Sequence, residues 1–348
     1  MTTLDPPAEP SATDRPVVMA DVAKAAGVSL QTVSRVLNAH PRVSLETRQR
    51  VQAVMRALEY RPNSTARALA TGRTRSIGVV TFDATRYGPA STLSGIINAA
   101  GEAGYLLTVV PLPGTDRLSA RATVDRLSRS SVDGIIAIAP QQELAHSLYG
   151  LAQQLPVVAL DSSLEEYVPA VAVDEFEGAR QATRHLLELG HSTVHHLAGP
   201  TGWVAARERT EGWRAAAAEA KTSVPDPLIG DWTTESGYRL GRELARDPDL
   251  TALFVANDEM ALGVLRALHE SGRRVPEDVS VVGFDDIPAA AYLAPPLTTL
   301  RPDFAEVGRE SVSALLHQLD HDPPSWQTVR VPASLIVRHS TSSPRRPS

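Results

Sequence analysis

Twenty residues near the amino end, Met19 to Asn38, constrain the chain most: MADVAKAAGVSLQTVSRVLN. Val22, Ala23 and Ala26 are spaced to place a small apolar stripe on one face of a short helix. Gly27 follows and can take the positive φ that ends a helix. Val28 is an apolar plug, and Ser29 stands where an N-cap belongs, with a hydroxyl free to accept from the next turn. Val33, Val36 and Leu37 give the second helix an apolar face. Its other face carries Leu30, Gln31, Ser34 and Arg35. The pattern predicts a helix-turn-helix whose second helix offers solvent the side chains that pair with base edges in a major groove. Ser44 can cap a third helix, with Glu46 in its first turn and Val51, Val54, Met55 and Leu58 closing a three-helix core.

Charge follows the same division. Residues 15–75 hold eleven Lys/Arg against three Asp/Glu, a balance of +8 in a chain whose total is −6, which leaves −14 for the rest. A basic segment on an acidic body suits a nucleic-acid-binding headpiece joined to a separate core. After Pro62 comes a short run of small residues, Asn63 to Ala70, with Leu69 its one large apolar residue. A helix of two turns is marginal alone, so this segment is expected to fold only against a partner.

From Ser76 the pattern changes. IGVVT, YLLTVV, GIIAIA, VVAL, VHHLA, ALFVA and VSVVGF read as buried strands. Between them lie helical segments such as LSGIINAAGEAG, EGARQATRHLLELG, ARERTEGWRAAAAEA and EMALGVLRALHESG. Strand–helix alternation means parallel sheet covered by helices. This many units fits either one barrel or two doubly wound domains. In open sheets of this kind ligands bind beyond the carboxyl ends of strands. Asp161, Asn257, Asp258, Asp285 and Asp286 stand there, Arg207 and Arg209 open a helix, and Trp232 follows a short apolar run. Carboxylates, amides and guanidinium grip vicinal hydroxyls, and an indole covers the apolar face of a pyranose. Asp258 and Asp286 have a second reading as helix caps. Trp213 reads as core, and Asp174, Glu175 and Glu177 beside Arg180 read as a solvated crossover and helix start.

Several classes of function are excluded or disfavoured. The chain has no cysteine, so neither disulfides nor thiolate chemistry enter. No GxSxG elbow, HExxH motif or strand–GxGxxG–helix fingerprint is present. An enzyme could use Asp161 and Asp285 as an acid/base pair, but no nucleophile accompanies them. Adjacent His195 and His196 would point to opposite faces of a strand and cannot chelate one ion with His191. No metal and no cofactor are expected. No apolar run approaches a membrane span. The opening MTTLDPPAEPSATDRP reads as a disordered tail rather than a signal peptide, which argues for a cytoplasmic protein over a periplasmic receptor.

ADVAKAAGVSLQTVSRVLN, Val43–Ser44 and YRPNSTARALATGRT together resemble the headpiece of the LacI/GalR family of bacterial transcription regulators. LAGPTGWVAARERTEGW, IGDWTTESGYR, LFVANDEMALG, VSVVGFDDIPAAAYLAPPLTTLRPDF and VPASLIVRHST extend the resemblance over nearly the whole chain. It implies an α/β core of two doubly wound parallel-sheet subdomains, like the periplasmic sugar-binding proteins, behind a small all-α headpiece. The expected divisions are a disordered tail at 1–15, a DNA-binding domain at 16–61, a hinge helix and linker at 62–75, a core at 76–340 and a tail at 341–348. Within the core, 76–173 with 303–331 form one subdomain and 174–302 with 332–340 the other, with crossovers near Val173, Pro302 and Val331.

The resemblance implies a non-enzymatic repressor that binds a near-palindromic operator as a homodimer and leaves it when a sugar, a galactoside or related oligosaccharide, binds. A purine or a phosphoprotein corepressor is the alternative effector. DNA contact is assigned to Ser29, Leu30, Gln31, Thr32, Ser34, Arg35, Asn38, Arg42, Asn63, Ala66, Arg67 and Leu69. Sugar contact is assigned to Asp161, Arg209, Trp232, Asn257 and Asp285, with Pro89 and Phe304 on an apolar wall. Thr92, Ile138, Val173, Ala205 and Pro302 depart from the family's galactoside pattern, so the pocket beyond the sugar ring is altered. The ending RHSTSSPRRPS has no apolar heptad to build a tetramer.

Overall fold

The protein's computed structural model describes residues 15, 17–37, 40–61, 68, 72–112, 119, 122–123, 126–127, 131–138, 150, 152–160, 168–320 and 328–345. It divides into two units, Met1–Thr74 and Arg75–Ser348. Asn38, Asn63, Ala66, Arg67, Leu69 and Asp161 lie outside the described residues, and so does most of the expected hinge helix.

In the first unit, α1 (Met19–Ala26), α2 (Leu30–Leu37) and α3 (Leu45–Ala57) enclose a core of Val22, Ala23, Ala26, Val33, Val36 and Val51. Gly27 ends α1 at φ +67°, and its N–H reaches the carbonyls of Ala23 and Lys24. Only a residue without Cβ takes that φ freely, so the tight turn rests on this glycine. Ser29 Oγ accepts the Thr32 N–H at 3.1 Å, and Ser44 Oγ accepts the Thr47 N–H at 3.3 Å. Each cap is worth about 1 kcal/mol. Arg15, expected in the tail, pairs with Asp21 at 2.7 Å.

The second unit holds two parallel sheets. The first has the order β2 (Leu106–Pro111), β1 (Ser76–Thr81), β3 (Gly134–Ile138), β4 (Val157–Ala159). Alternate residues of β1 and β3 divide between its faces. Ile77, Val79 and Ile136 join one cluster with Ile96 of α4 (Tyr87–Glu102), and Val80, Ile135 and Ala137 join another. Strands buried on both faces are what continuous apolar runs produce. Helix α4 starts six residues before the expected Leu93; Pro89 sits in its first turn, where the missing N–H costs nothing.

The chain leaves this sheet through β5 (Val171–Val173), and α5 (Glu175–Glu188) packs against the second sheet. That sheet has β6 (His195–Ala198), β7 (Leu228–Ile229), β8 (Ala252–Val255), β9 (Ser280–Phe284), β10 (Thr298–Pro302) and β12 (Ala333–Ile336) in the order β12-β10-β9-β8-β6-β7. All its pairs are parallel except β10–β12. Helices α6 (Val204–Glu219), α7 (Thr234–Leu244) and α8 (Asp258–Glu270) connect its strands. After β10 the chain returns: α9 (Phe304–Asp320) packs on α4, β3 and β4. Strand β11 (Val329–Val331) then pairs with β5 before β12 joins the second sheet. The chain thus passes between the sheets after Val173, after Pro302 and after Val331.

Two expectations about segment ends are corrected. Residues 341–345 are not a loose tail. The Ser342 N–H donates to Ser280 Oγ at 3.0 Å, Ser342 Oγ donates to the Pro276 carbonyl at 3.2 Å, and Arg345 lies 3.8 Å from Asp278. Serine hydroxyls here meet buried polar groups that a composition count does not reveal. At the other end, Arg75 belongs to the core rather than to a linker. Its N–H donates to Asp133 at 2.8 Å, and its carbonyl accepts from Leu106.

Candidate functional site

Two surfaces carry chemistry, one in each unit. On the headpiece, α2 buries Val33 and Val36 and leaves Leu30, Gln31 and Arg35 exposed. Ser34 is half-buried beside them, and Arg42 is exposed on the following turn. Thr32 lies 2.9 Å, oxygen to oxygen, from Ser29, so these two hydroxyls serve the start of the helix. The exposed face of α2 therefore presents the Gln31 amide in its first turn and the Arg35 guanidinium in its last, two side chains that suit base edges and phosphate.

The second surface is a cleft of about 970 Å³, counting its open volume, beyond the carboxyl ends of both sheets. From the first-sheet side come Arg86, Tyr87, Pro89 and Thr92 at the start of α4, Ile138 ending β3, and Phe304 opening α9. From the second come Trp203 before α6, Glu208 and Arg209 within it, Trp232 after β7, Asn257 after β8 and Asp285 after β9. Pro89, Arg209, Trp232, Asn257, Asp285 and Phe304 were all expected in the pocket, and the fold brings them to one cleft. Asp161 is outside the described residues.

The chemistry of these residues is more committed than their types suggest. Arg209 is almost wholly buried, with Nε donating to Glu175 at 2.7 Å, Nη1 to the Ala256 carbonyl and Nη2 to Asp285 at 3.4 Å. Its guanidinium lies 3.7 Å over the Phe284 ring and 5.5 Å from that of Trp232. Burial pushes Glu175 above the ordinary carboxyl range despite Arg209, and pushes Asp285 well above it. Arg209 itself is held above its usual value, because Glu175 and Asp285 outweigh its own burial. Glu175, read as solvated from its local charge run, is corrected: its side chain is 14% exposed and pairs with a residue 34 positions away.

Asn257 is the N-cap of α8. Its Oδ1 accepts the Met260 N–H at 3.0 Å, while Nδ2 donates to the Trp232 carbonyl at 3.1 Å. Trp232 needs that anchor because its φ is +73°. Asp285 is also strained, at φ +107°, and its N–H donates to Leu300 at 2.8 Å. Such backbones cost about 1–3 kcal/mol each and persist where surroundings fix them. The Trp232 indole lies against Gly199, where a Cβ would strike the ring. Its Nε1 is buried with no acceptor among the described residues. Trp203, which the sequence did not single out, meets Trp232 edge-on at 5.8 Å and Phe82, after β1, at 6.0 Å.

Asp258 and Asp286 are not helix caps. Asp258 is fully buried, accepts from Ile287 N–H at 2.9 Å and Thr299 Oγ1 at 2.6 Å, and burial pushes it up to about 7. Asp286 bridges Arg301 at 2.5 Å and Arg338 at 2.6 Å. Asn257, one residue before Asp258, takes the cap of α8. The histidines have separate partners: His191 meets Thr251 and Ser280, His195 meets Asp247, and His196 stacks on Phe254 at 4.8 Å. Trp213 is core, its Nε1 donating to Val194 at 2.9 Å.

Residues 18–63 match the description "Bacterial regulatory proteins, lacI family", and residues 183–341 match a periplasmic binding protein-like domain. The lactose operon repressor of Escherichia coli is 35% identical over 332 residues, 95% of this chain and 92% of that protein. The chain belongs to the lacI family of bacterial regulatory proteins. Its fold agrees with that of a lac repressor dimer bound to operator and the anti-inducer ONPF, at TM-score 0.81 and 34% identity, over 94% of this chain and 100% of that one. A complex of the transcriptional regulator CelR with cellobiose matches with TM-score 0.70 and 33% identity over the same shares. As a lacI-family repressor the chain is a DNA-binding regulator of transcription, and its helix-turn-helix and two-sheet core are the family's two parts. No helix among the described residues is long and apolar enough to cross a membrane.

Proposed function

We propose that the chain represses transcription as a homodimer on a near-palindromic operator and leaves it when an oligosaccharide, a galactoside or a related glycoside, occupies the cleft. The observation that carries this reading is the make-up of that cleft. Aromatic faces of Trp232, Trp203, Tyr87 and Phe304 stand beside polar groups from both sheets, in a volume larger than one sugar ring needs. A ligand gripped by Pro89 and Phe304 on one side and by Trp232, Arg209, Asn257 and Asp285 on the other would draw the two sides together.

The coupling to DNA runs through the chain itself. The first-sheet side begins at Ser76, and Arg75 is tied to Asp133 and Leu106 on that side. Residues 62–74 join it to the headpiece, and Leu69 is the proposed wedge into the minor groove at the operator centre. Movement of the first-sheet side on closure would then change the spacing of the two headpieces in a dimer. The relatives named for lactose and for a cellobiose complex support a saccharide of this size.

The same aromatic faces suit stacking on a nucleobase, and a purine is the second reading. A thermal-shift screen of the full chain against disaccharides, monosaccharides and nucleobases separates the two. Stabilisation by disaccharides supports the first reading, and stabilisation by purines alone replaces it with the second.

A further inference from the structure

The cleft is unusual in its charge. Among its described lining residues are four carboxylates, Glu175, Glu208, Glu259 and Asp285, and two guanidiniums, Arg86 and Arg209. Each arginine already has carboxylates beside it. Arg209 gives its donors to Glu175, the Ala256 carbonyl and Asp285. Arg86 donates to Asp83 at 3.0 Å and lies 4.0 Å from Glu259 across the cleft. Glu208, buried on α6, has Arg330 at 3.4 Å. The polar group left over is of another kind: the Trp232 Nε1–H, buried and unpartnered, is a neutral donor.

We infer that Glu175, Glu208 and Glu259 are specificity-determining residues, which admit uncharged saccharides to this cleft and reject phosphorylated or carboxylated ones. The inference rests on the saccharide reading above and narrows it. A phosphate or uronate placed among these groups meets four carboxylates against two guanidiniums, each of which already has a carboxylate partner. Burial already holds Glu175, Glu259 and Asp285 above the ordinary carboxyl range, and a bound anion would push them further. In a partly buried site each such repulsion weakens binding by about tenfold or more. Hydroxyls carry no such penalty, since they donate to carboxylates and accept from the indole N–H.

The test uses the full chain and matched pairs: cellobiose and lactose with their 6′-phosphates, glucose with glucose 6-phosphate, and galactose with galacturonate. Calorimetry should find binding only among neutral members, each at least about tenfold tighter than its anionic partner. In the Glu208→Gln/Glu259→Gln double variant that gap should shrink. An anionic member that binds as tightly as its neutral partner would overturn the inference, as would a gap unchanged in the double variant. A second arm needs no saccharide. The fluorescence of Trp203, taken as the difference between the chain and its Trp203→Phe variant, should be quenched less by iodide than by uncharged acrylamide, relative to free tryptophan amide. If no sugar binds, the saccharide reading fails, and this arm still decides the charge inference: equal access for iodide refutes it.

Discussion

Replacing Arg209 by Met removes one charge from the centre of the cleft and keeps most of its stem over Phe284. Glu175 and Asp285, with side chains 14% and 10% exposed, then lose their common cation. Breaking a buried pair by removing one partner costs about 3–5 kcal/mol, because the remaining charge is neither solvated nor matched. Here two carboxyls remain, and both already stand above their ordinary range through burial. A carboxyl whose folded pKa is raised favours the folded state below its unfolded pKa, and that stability is lost as pH rises through the folded value. In the variant both values rise further, each further unit being worth about 1.4 kcal/mol. The penalty of Arg209→Met should therefore be about 3–5 kcal/mol at pH 8 and clearly smaller at pH 5. Urea unfolding, followed by tryptophan fluorescence at both pH values, measures it. A penalty below about 1 kcal/mol, the range of exposed pairs, or one that grows on acidification, would refute the reasoning.

Other outcomes follow from the same contacts. Arg35→Ala should cost about 1–3 kcal/mol of operator affinity and relax preference at one base pair per half-site, read by binding to a series of single-base operator variants; equal loss on random DNA would mean that Arg35 touches only phosphate. Asn257→Asp keeps an acceptor for the Met260 N–H but loses the donor to the Trp232 carbonyl, so it should spare most thermal stability and weaken effector binding, whereas Asn257→Ala should also lose about 1 kcal/mol of cap. His196, held down to about 3 by burial against Phe254, stays neutral in the fold, so it supports stability above its unfolded pKa and withdraws it as pH falls. On the order of 4–5 kcal/mol is at stake between about pH 6.5 and pH 3, and His196→Gln should move the acid-unfolding midpoint to lower pH.

Much of this was legible in the sequence because the signals are local. Gly27, Ser29 and Ser44 announce their turn and caps within four residues, and apolar runs such as Ile77 to Val80 announce buried strands. The three-residue strands β5 and β11 carry no periodicity, and their pairing joins segments more than 150 residues apart. Glu175 was misread for the same reason. Its neighbours Asp174 and Glu177 describe a solvated helix start, while the residue that buries it, Arg209, sits on another helix. Asn257 and Arg209 were found as cleft residues, but their commitment to a cap, a carbonyl and two carboxylates depends on contacts that only folding assembles. Trp203 sits just before α6 without a motif, and becomes notable only once Phe82 and Trp232 stand beside it.

The central claim is that occupation of the cleft releases DNA. The direct measurement is fluorescence anisotropy of the full chain on an operator selected from random DNA by the protein itself, titrated with the disaccharide that stabilises it in the thermal screen. The account predicts falling anisotropy as the sugar is added, and tighter sugar binding to free protein than to the DNA complex by the same factor, because coupling is reciprocal. A sugar that tightens operator binding would contradict it and make the ligand a corepressor.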